Sequence, residues 1–110
     1  MAKKEFIEAR EIIQELFQER EINLHKIIIF GSQAKNKGNQ DSDIDIIVVS
    51  KDFRNKDIFE KVEVTSGIHR ELVNRLKKPV DIMYYSDKEW DKGYSIIINA
   101  AKEEGAVIYG

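Results

Sequence analysis

The sequence predicts a small α/β domain in which helices pack on a short β-sheet, and three observations predict it. Stretches with apolar residues every three or four positions alternate along the chain with short apolar runs. Those runs are bounded by Gly, Pro or polar turns, as strands are. Finally, 110 residues with 42% hydrophobic content suffice for one core but not two, so residues 1–110 are read as a single domain. The element order reads α-β-(α)-β-α-β-α-β, with one layer of helices or two on the sheet.

Residues 3–20 form the first amphipathic helix: Phe6, Ala9, Ile13, Leu16 and Phe17 recur on one face, with Ile12 beside them. The run Lys26-Ile-Ile-Ile-Phe30, closed by Gly31, reads as a strand buried on both faces. Residues 31–42 are polar with two Gly, hence a loop or a short helix plus loop. Residues 43–50 alternate, with Asp43, Asp45, Ile47 and Val49 pointing one way and Ile44, Ile46 and Val48 the other.

A polar turn over 51–56 leads to Asp57, which with Glu60 fits a capping box. The helix it opens carries Ile58, Val62, Thr65, His69, Leu72 and Leu76 on one stripe and is ended by Pro79. Val80–Tyr85 is a third strand. Ser86 with Glu89 caps a last helix running to about Glu104, where Gly105 stops it, and Ala106–Tyr109 is a short edge strand.

Composition excludes several classes of function. Without Cys there is neither a disulfide framework nor a Cys-ligated zinc site. The 18 basic and 20 acidic side chains leave a net charge of -2, no global field to hold nucleic acid, so a direct nucleic-acid partner is disfavoured. No apolar run approaches a membrane span, and no signal-peptide core follows Met1-Ala2-Lys3-Lys4, so a cytoplasmic protein with no membrane partner is expected.

One constellation carries chemistry. Gly31 and Ser32 directly follow the buried strand; Gly allows close backbone approach to a ligand and Ser adds a hydroxyl. A helix starting at Ser32 would aim free N–H groups at the same point and favour phosphate. Asp43 and Asp45 share one strand face. Two carboxylates about 5 Å apart repel by roughly 3 kcal/mol at an effective dielectric of 20, which favours a cation between them. Hard oxygen ligands suit Mg²⁺ or Mn²⁺; the plain alternative is a pair of solvated strand-end acids. Asp81 interrupts an otherwise apolar strand, where a lone carboxylate is costly unless paired. Beside strand 43–50 it would complete a set of three carboxylates suited to metal-assisted phosphoryl transfer; a Lys or Arg salt bridge is the alternative.

The stretch Gly31-Ser32-Gln33-Ala34-Lys35, then Asp41-Ser42-Asp43-Ile44-Asp45-Ile46-Ile47-Val48, with Val80-Asp81-Ile82 downstream, resembles the DNA polymerase β-like nucleotidyltransferases. It is most similar to their minimal members, the antitoxin partners of HEPN-domain toxins. The resemblance spans nearly the whole chain and implies a small mixed β-sheet with helices packed on it. It implies that Asp43, Asp45 and Asp81 are the catalytic and metal-holding residues, with Mg²⁺ as cofactor and Mn²⁺ as a substitute. Asp81 would also help activate the attacking hydroxyl. Gly31, Ser32, Lys35 and Ser42 would be the nucleotide-binding residues, with Gly31 and Ser32 cradling the β- and γ-phosphates. Two positions depart from the usual pattern: Lys35 stands where Arg is usual and Asn36 where Gly is usual. Lys offers a point charge instead of a bidentate fork, which weakens phosphate grip.

The implied activity is transfer of AMP from ATP, or of another NTP's nucleotide, to a hydroxyl of a partner protein. The acceptor in such antitoxins is typically a tyrosine of the cognate HEPN toxin; 110 residues leave no room for a fused acceptor domain, so the toxin is expected as a separate chain. The rivals are an idle antitoxin that neutralises its toxin by contact, and transfer to RNA or a small molecule.

Other residues have structural readings. His69, on an apolar stripe, reads as a core or boundary histidine ahead of a catalytic one, and His25 as exposed. Arg70, Arg75, Lys77 and Lys78 cluster near a helix C-terminus, where the macrodipole favours cations; a toxin- or acceptor-docking patch is the other reading. Tyr84, Tyr85 and Trp90 read as packing residues, any one of which could stack on a base.

Overall fold

The computed structural model describes residues 4–31, 43–93 and 95–110. Helix α1 (Lys4–Glu19) buries the expected stripe of Phe6, Ala9, Ile12, Ile13, Leu16 and Phe17. It leads into β1 (Lys26–Phe30), and β2 (Ile44–Val49) follows. A single 3₁₀ turn (Lys51–Phe53) precedes α2 (Ile58–Val64) and α3 (Ile68–Leu76). Strand β3 (Val80–Tyr85), α4 (Asp87–Lys92), α5 (Ile96–Glu104) and β4 (Ala106–Tyr109) complete the order.

The sheet is mixed, in the order β3-β2-β1-β4. β1 pairs antiparallel with β2 and with β4, whereas β2 and β3 run parallel. This is the small mixed sheet with packed helices that the sequence predicts. The β2–β3 connection that parallel pairing requires is made by α2 and α3. The two central strands are apolar on both sides because helices cover both. Ile27, Ile29, Ile44, Ile46 and Val48 pack with α1 and with Ile68 and Leu72 of α3. Ile28, Ile47 and Val49 pack with Trp90, Ile98 and Ala101. There are thus two helical layers, and the alternation read over 43–50 is observed over Ile44–Val49.

Two expected helices are each broken in two. Apolar spacing alone carried the helix opened at Asp57 through to Leu76, yet Gly67 adopts φ +88 and separates α2 from α3. Arg20 holds the break from outside by donating to Ser66 O at 2.6 Å. Likewise Gly93, at φ +65, ends α4, and Ser95 caps α5 through Ile97 N. The expected capping boxes of Asp57 with Glu60 and Ser86 with Glu89 are both formed. The start of the anticipated stripe is not buried: Ile58 and Val62 are 69% and 61% exposed, as is Phe59 beside them, at 80%.

These breaks give a direct test. Among the described residues an added Cβ at Gly67 meets only Arg20 Nη2, at 3.3 Å, so Gly67→Ala should cost about 1–2 kcal/mol through its left-handed backbone alone. At Gly93 the same Cβ also meets Asn99 Oδ1 at 2.8 Å, so Gly93→Ala should cost more. Urea denaturation of both variants measures the order. Among the described residues no helix is long and apolar enough to cross a membrane.

Candidate active site

The site lies where β1 ends and β2 and β3 begin. Parallel pairing sets Asp45 and Asp81 as direct register partners, while antiparallel pairing sets Phe30 opposite Asp45. The two carboxylates therefore sit side by side on one face of the sheet, the face covered by Trp90 and α5. Asp45 is half-buried, whereas Asp43, just before β2, and Asp81 are exposed.

Electrostatics couple the three. Burial pushes the Asp45 carboxyl above the usual carboxylate range. The charge of Asp81 adds to this, then that of Asp43, then a hydrogen bond shared with Asp81. A carboxyl in that state attracts cations and hydrogen-bond donors. Gly31, directly after β1, closes the other side. Its φ is +77, and a Cβ built there would strike Asp45 Oδ2 and lie 3.3 Å from Asp45 Cγ. The sequence assigns Gly31 to close approach by a ligand; the structure adds close approach by a carboxylate. No local signal could have revealed this, because it depends on the register of β1 against β2.

Among the described residues no three His, Cys, Asp or Glu side chains are gathered so as to hold a metal ion. The closest association is the Asp45–Asp81 pair, with Asp43 acting on it by charge. All the donors are hard carboxylate oxygens with limited burial, and that chemistry fits Mg²⁺ or Mn²⁺, ions that retain water and share substrate phosphates. Ser32, Lys35 and Ser42 lie outside the described residues.

Several of the remaining candidates have structural partners. His69 Nε2 donates to Val80 O at 2.7 Å, so this histidine fastens α3 to the start of β3. Lys61 Nζ makes the matching bond to Tyr84 O at 3.0 Å and pairs with Glu89. Arg75 and Lys78 pair with Glu15 and Glu5 of α1, each at 3.2 Å. Tyr84 packs edge-on against Phe53 with ring centroids 5.4 Å apart, Lys61 lies over Tyr85, and Trp90 is buried beneath Lys102.

Comparison with known proteins adds a family and a set of similar folds. The sequence profile described as polymerase beta, nucleotidyltransferase matches residues 11–109. Among curated proteins none matches. Among solved structures, a toxin–antitoxin crystallised with AMP-PNP is 21% identical, with 91% of this chain and 72% of that chain covered and a TM-score of 0.65. A mutant of the toxin–antitoxin MntA-HpeT is 24% identical, over 92% of this chain and 72% of that chain, with a TM-score of 0.60. A candidate nucleotidyltransferase from Sulfolobus solfataricus is 23% identical, over 96% and 87%, with a TM-score of 0.57.

Proposed function

Because the chain belongs to the polymerase beta nucleotidyltransferase family, we propose that it transfers a nucleoside monophosphate, AMP from ATP, to a hydroxyl of a partner protein. The observation that carries this reading is the Asp45–Asp81 pair, in register on neighbouring parallel strands and backed by Gly31. Asp43, Asp45 and Asp81 would hold Mg²⁺, or Mn²⁺ in its place, which when bound supplies charge neutralisation for the triphosphate and the leaving pyrophosphate.

The chain's own groups do the rest. Gly31, without a side chain, leaves room at the strand end for Asp45, and its backbone is proposed to approach the phosphate oxygens. Ser32, Lys35 and Ser42 are proposed to complete the phosphate contacts. Asp81, the more exposed carboxylate of the pair, takes the proton of the acceptor hydroxyl as its oxygen attacks the α-phosphorus. The bond from the α-phosphorus to the bridging oxygen breaks, and pyrophosphate leaves.

We assign the acceptor to a separate HEPN-type toxin. The sequence resemblance supports this partner, and so does similarity of fold to chains from toxin–antitoxin structures, one of them holding AMP-PNP. The test is to incubate the protein with that toxin, ATP and Mg²⁺ and weigh the toxin by mass spectrometry. The toxin should gain mass in whole AMP units with wild type and none with Asp81→Asn. A toxin that is silenced but unmodified would instead make the chain a contact inhibitor. Metal linkage is measurable separately. Calorimetry should find ATP bound about tenfold or more tightly with Mg²⁺ than without, about 1.4 kcal/mol. Equal affinities would remove the metal from the reading.

A further inference from the structure

Asp81 is the second residue of β3, the outermost strand on its side of the sheet. Ile44 N donates to Pro79 O at 3.1 Å, so by alternation Pro79 and Asp81 turn their backbone groups toward β2 and Val80 turns its own away. Pro79 has no N–H, which makes Asp81 N–H the first donor that β3 can offer β2. The peptide between Val80 and Asp81 thus has its N–H toward the ladder and its carbonyl outside it. His69 Nε2 donates to that carbonyl at 2.7 Å. A carbonyl only accepts, so the ring carries a proton on Nε2. The flanking Ile68 and Leu72 anchor α3 in the core, yet His69 itself is exposed, so filling the core is not its task.

We propose that His69 is a positioning residue for Asp81. Through the Val80 carbonyl it fixes the plane of the Val80–Asp81 peptide, and with it the direction in which the Asp81 carboxylate enters the site. The peptide is then held from both sides, by β2 at its N–H and by α3 at its oxygen, and the stiffness of the core reaches an otherwise exposed carboxylate. The role in transfer rests on the nucleotidyltransferase reading; the anchoring does not. Lys61 supplies the internal contrast. It makes the same kind of bond, to Tyr84 O at 3.0 Å, but at the end of β3 away from the carboxylates. Side chains that merely tied the strand to its helices would act alike at both ends.

Kinetics of transfer to the toxin with ATP and Mg²⁺ test this in three variants. His69→Leu keeps bulk and removes the donor, His69→Gln returns an N–H near the same point, and Lys61→Met removes the contrasting bond. His69→Leu should lower kcat about tenfold and leave KM for ATP within about twofold, because a misdirected carboxylate slows the chemical step. His69→Gln should regain most of that loss, and Lys61→Met should show none. Amide hydrogen exchange gives a reading that needs no activity. Asp81 N–H should exchange about tenfold faster in His69→Leu and at the wild-type rate in Lys61→Met. An unchanged kcat in His69→Leu, a loss that His69→Gln does not recover, or an equal loss in Lys61→Met would overturn the proposal. The two readings fail separately. A wild type that transfers nothing to the toxin would end the enzyme reading. Faster Asp81 exchange in His69→Leu alone would still establish the anchor, and equal exchange in all chains would end it.

Discussion

Replacing Asp45 by Asn should abolish nucleotidyl transfer while leaving the fold as stable as wild type or more so. The loss of transfer should be at least about a hundredfold, roughly 3 kcal/mol, because the carboxylate at the centre of the site disappears. The stability expectation follows from its surroundings. Burial, then Asp81, then Asp43 raise the Asp45 pKa above 3.8, so the fold disfavours its charged form. A raised folded-state pKa contributes stability that is fully present below the unfolded value and is lost as pH rises through the folded one. Asn stays uncharged at every pH and escapes that loss. The variant should therefore gain on wild type as pH rises above 3.8. Thermal melts across that range, together with the mass assay, measure both halves. A variant destabilised by more than about 2 kcal/mol at neutral pH would mark Asp45 as a structural residue instead.

Gly31→Ala should be nearly as damaging to transfer, for a steric reason. The left-handed backbone costs an alanine about 1–2 kcal/mol. Its Cβ would also strike Asp45 Oδ2, so either Asp45 or the strand end must move. Displacing a catalytic carboxylate by even about 1 Å can cost around a hundredfold in rate. A double-mutant cycle separates the terms. Asp45→Ala removes the struck atom, so in stability Gly31→Ala should cost less on that background, leaving the backbone strain alone. Additive costs would show that the two residues do not meet.

Much of this was legible in the sequence because it rests on local pattern. Three successive Ile in β1 allow only a strand covered on both faces, and both faces are covered. The alternation in β2 put Asp45 on the face of Ile47 and Val49. What was illegible depends on the whole fold. The apolar spacing from Ile58 to Leu76 runs unbroken through Gly67, and no periodicity can report that one glycine turns left-handed or that Ile58 and Val62 end in solvent. The meeting of Asp45 with Asp81 could be conjectured only by supposing that their strands are neighbours. The direct contact between Gly31 and Asp45 needed the β1–β2 register as well.

The two side chains that reach β3 from its helices bear on how the protein behaves when concentrated. β3 lies at the edge of the sheet and reads Val-Asp-Ile-Met-Tyr-Tyr, a segment able to template a strand from another molecule. Pro79 O and Tyr85 O accept from β2, so by alternation the carbonyls of Val80, Ile82 and Tyr84 face outward. His69 occupies the first and Lys61 the last, leaving Ile82 without a free neighbour on either side. An incoming strand would have to displace both before it could form a ladder. His69→Ala and Lys61→Ala together would thus uncover an adhesive edge, and intermolecular β-structure rather than unfolding is the failure they would expose.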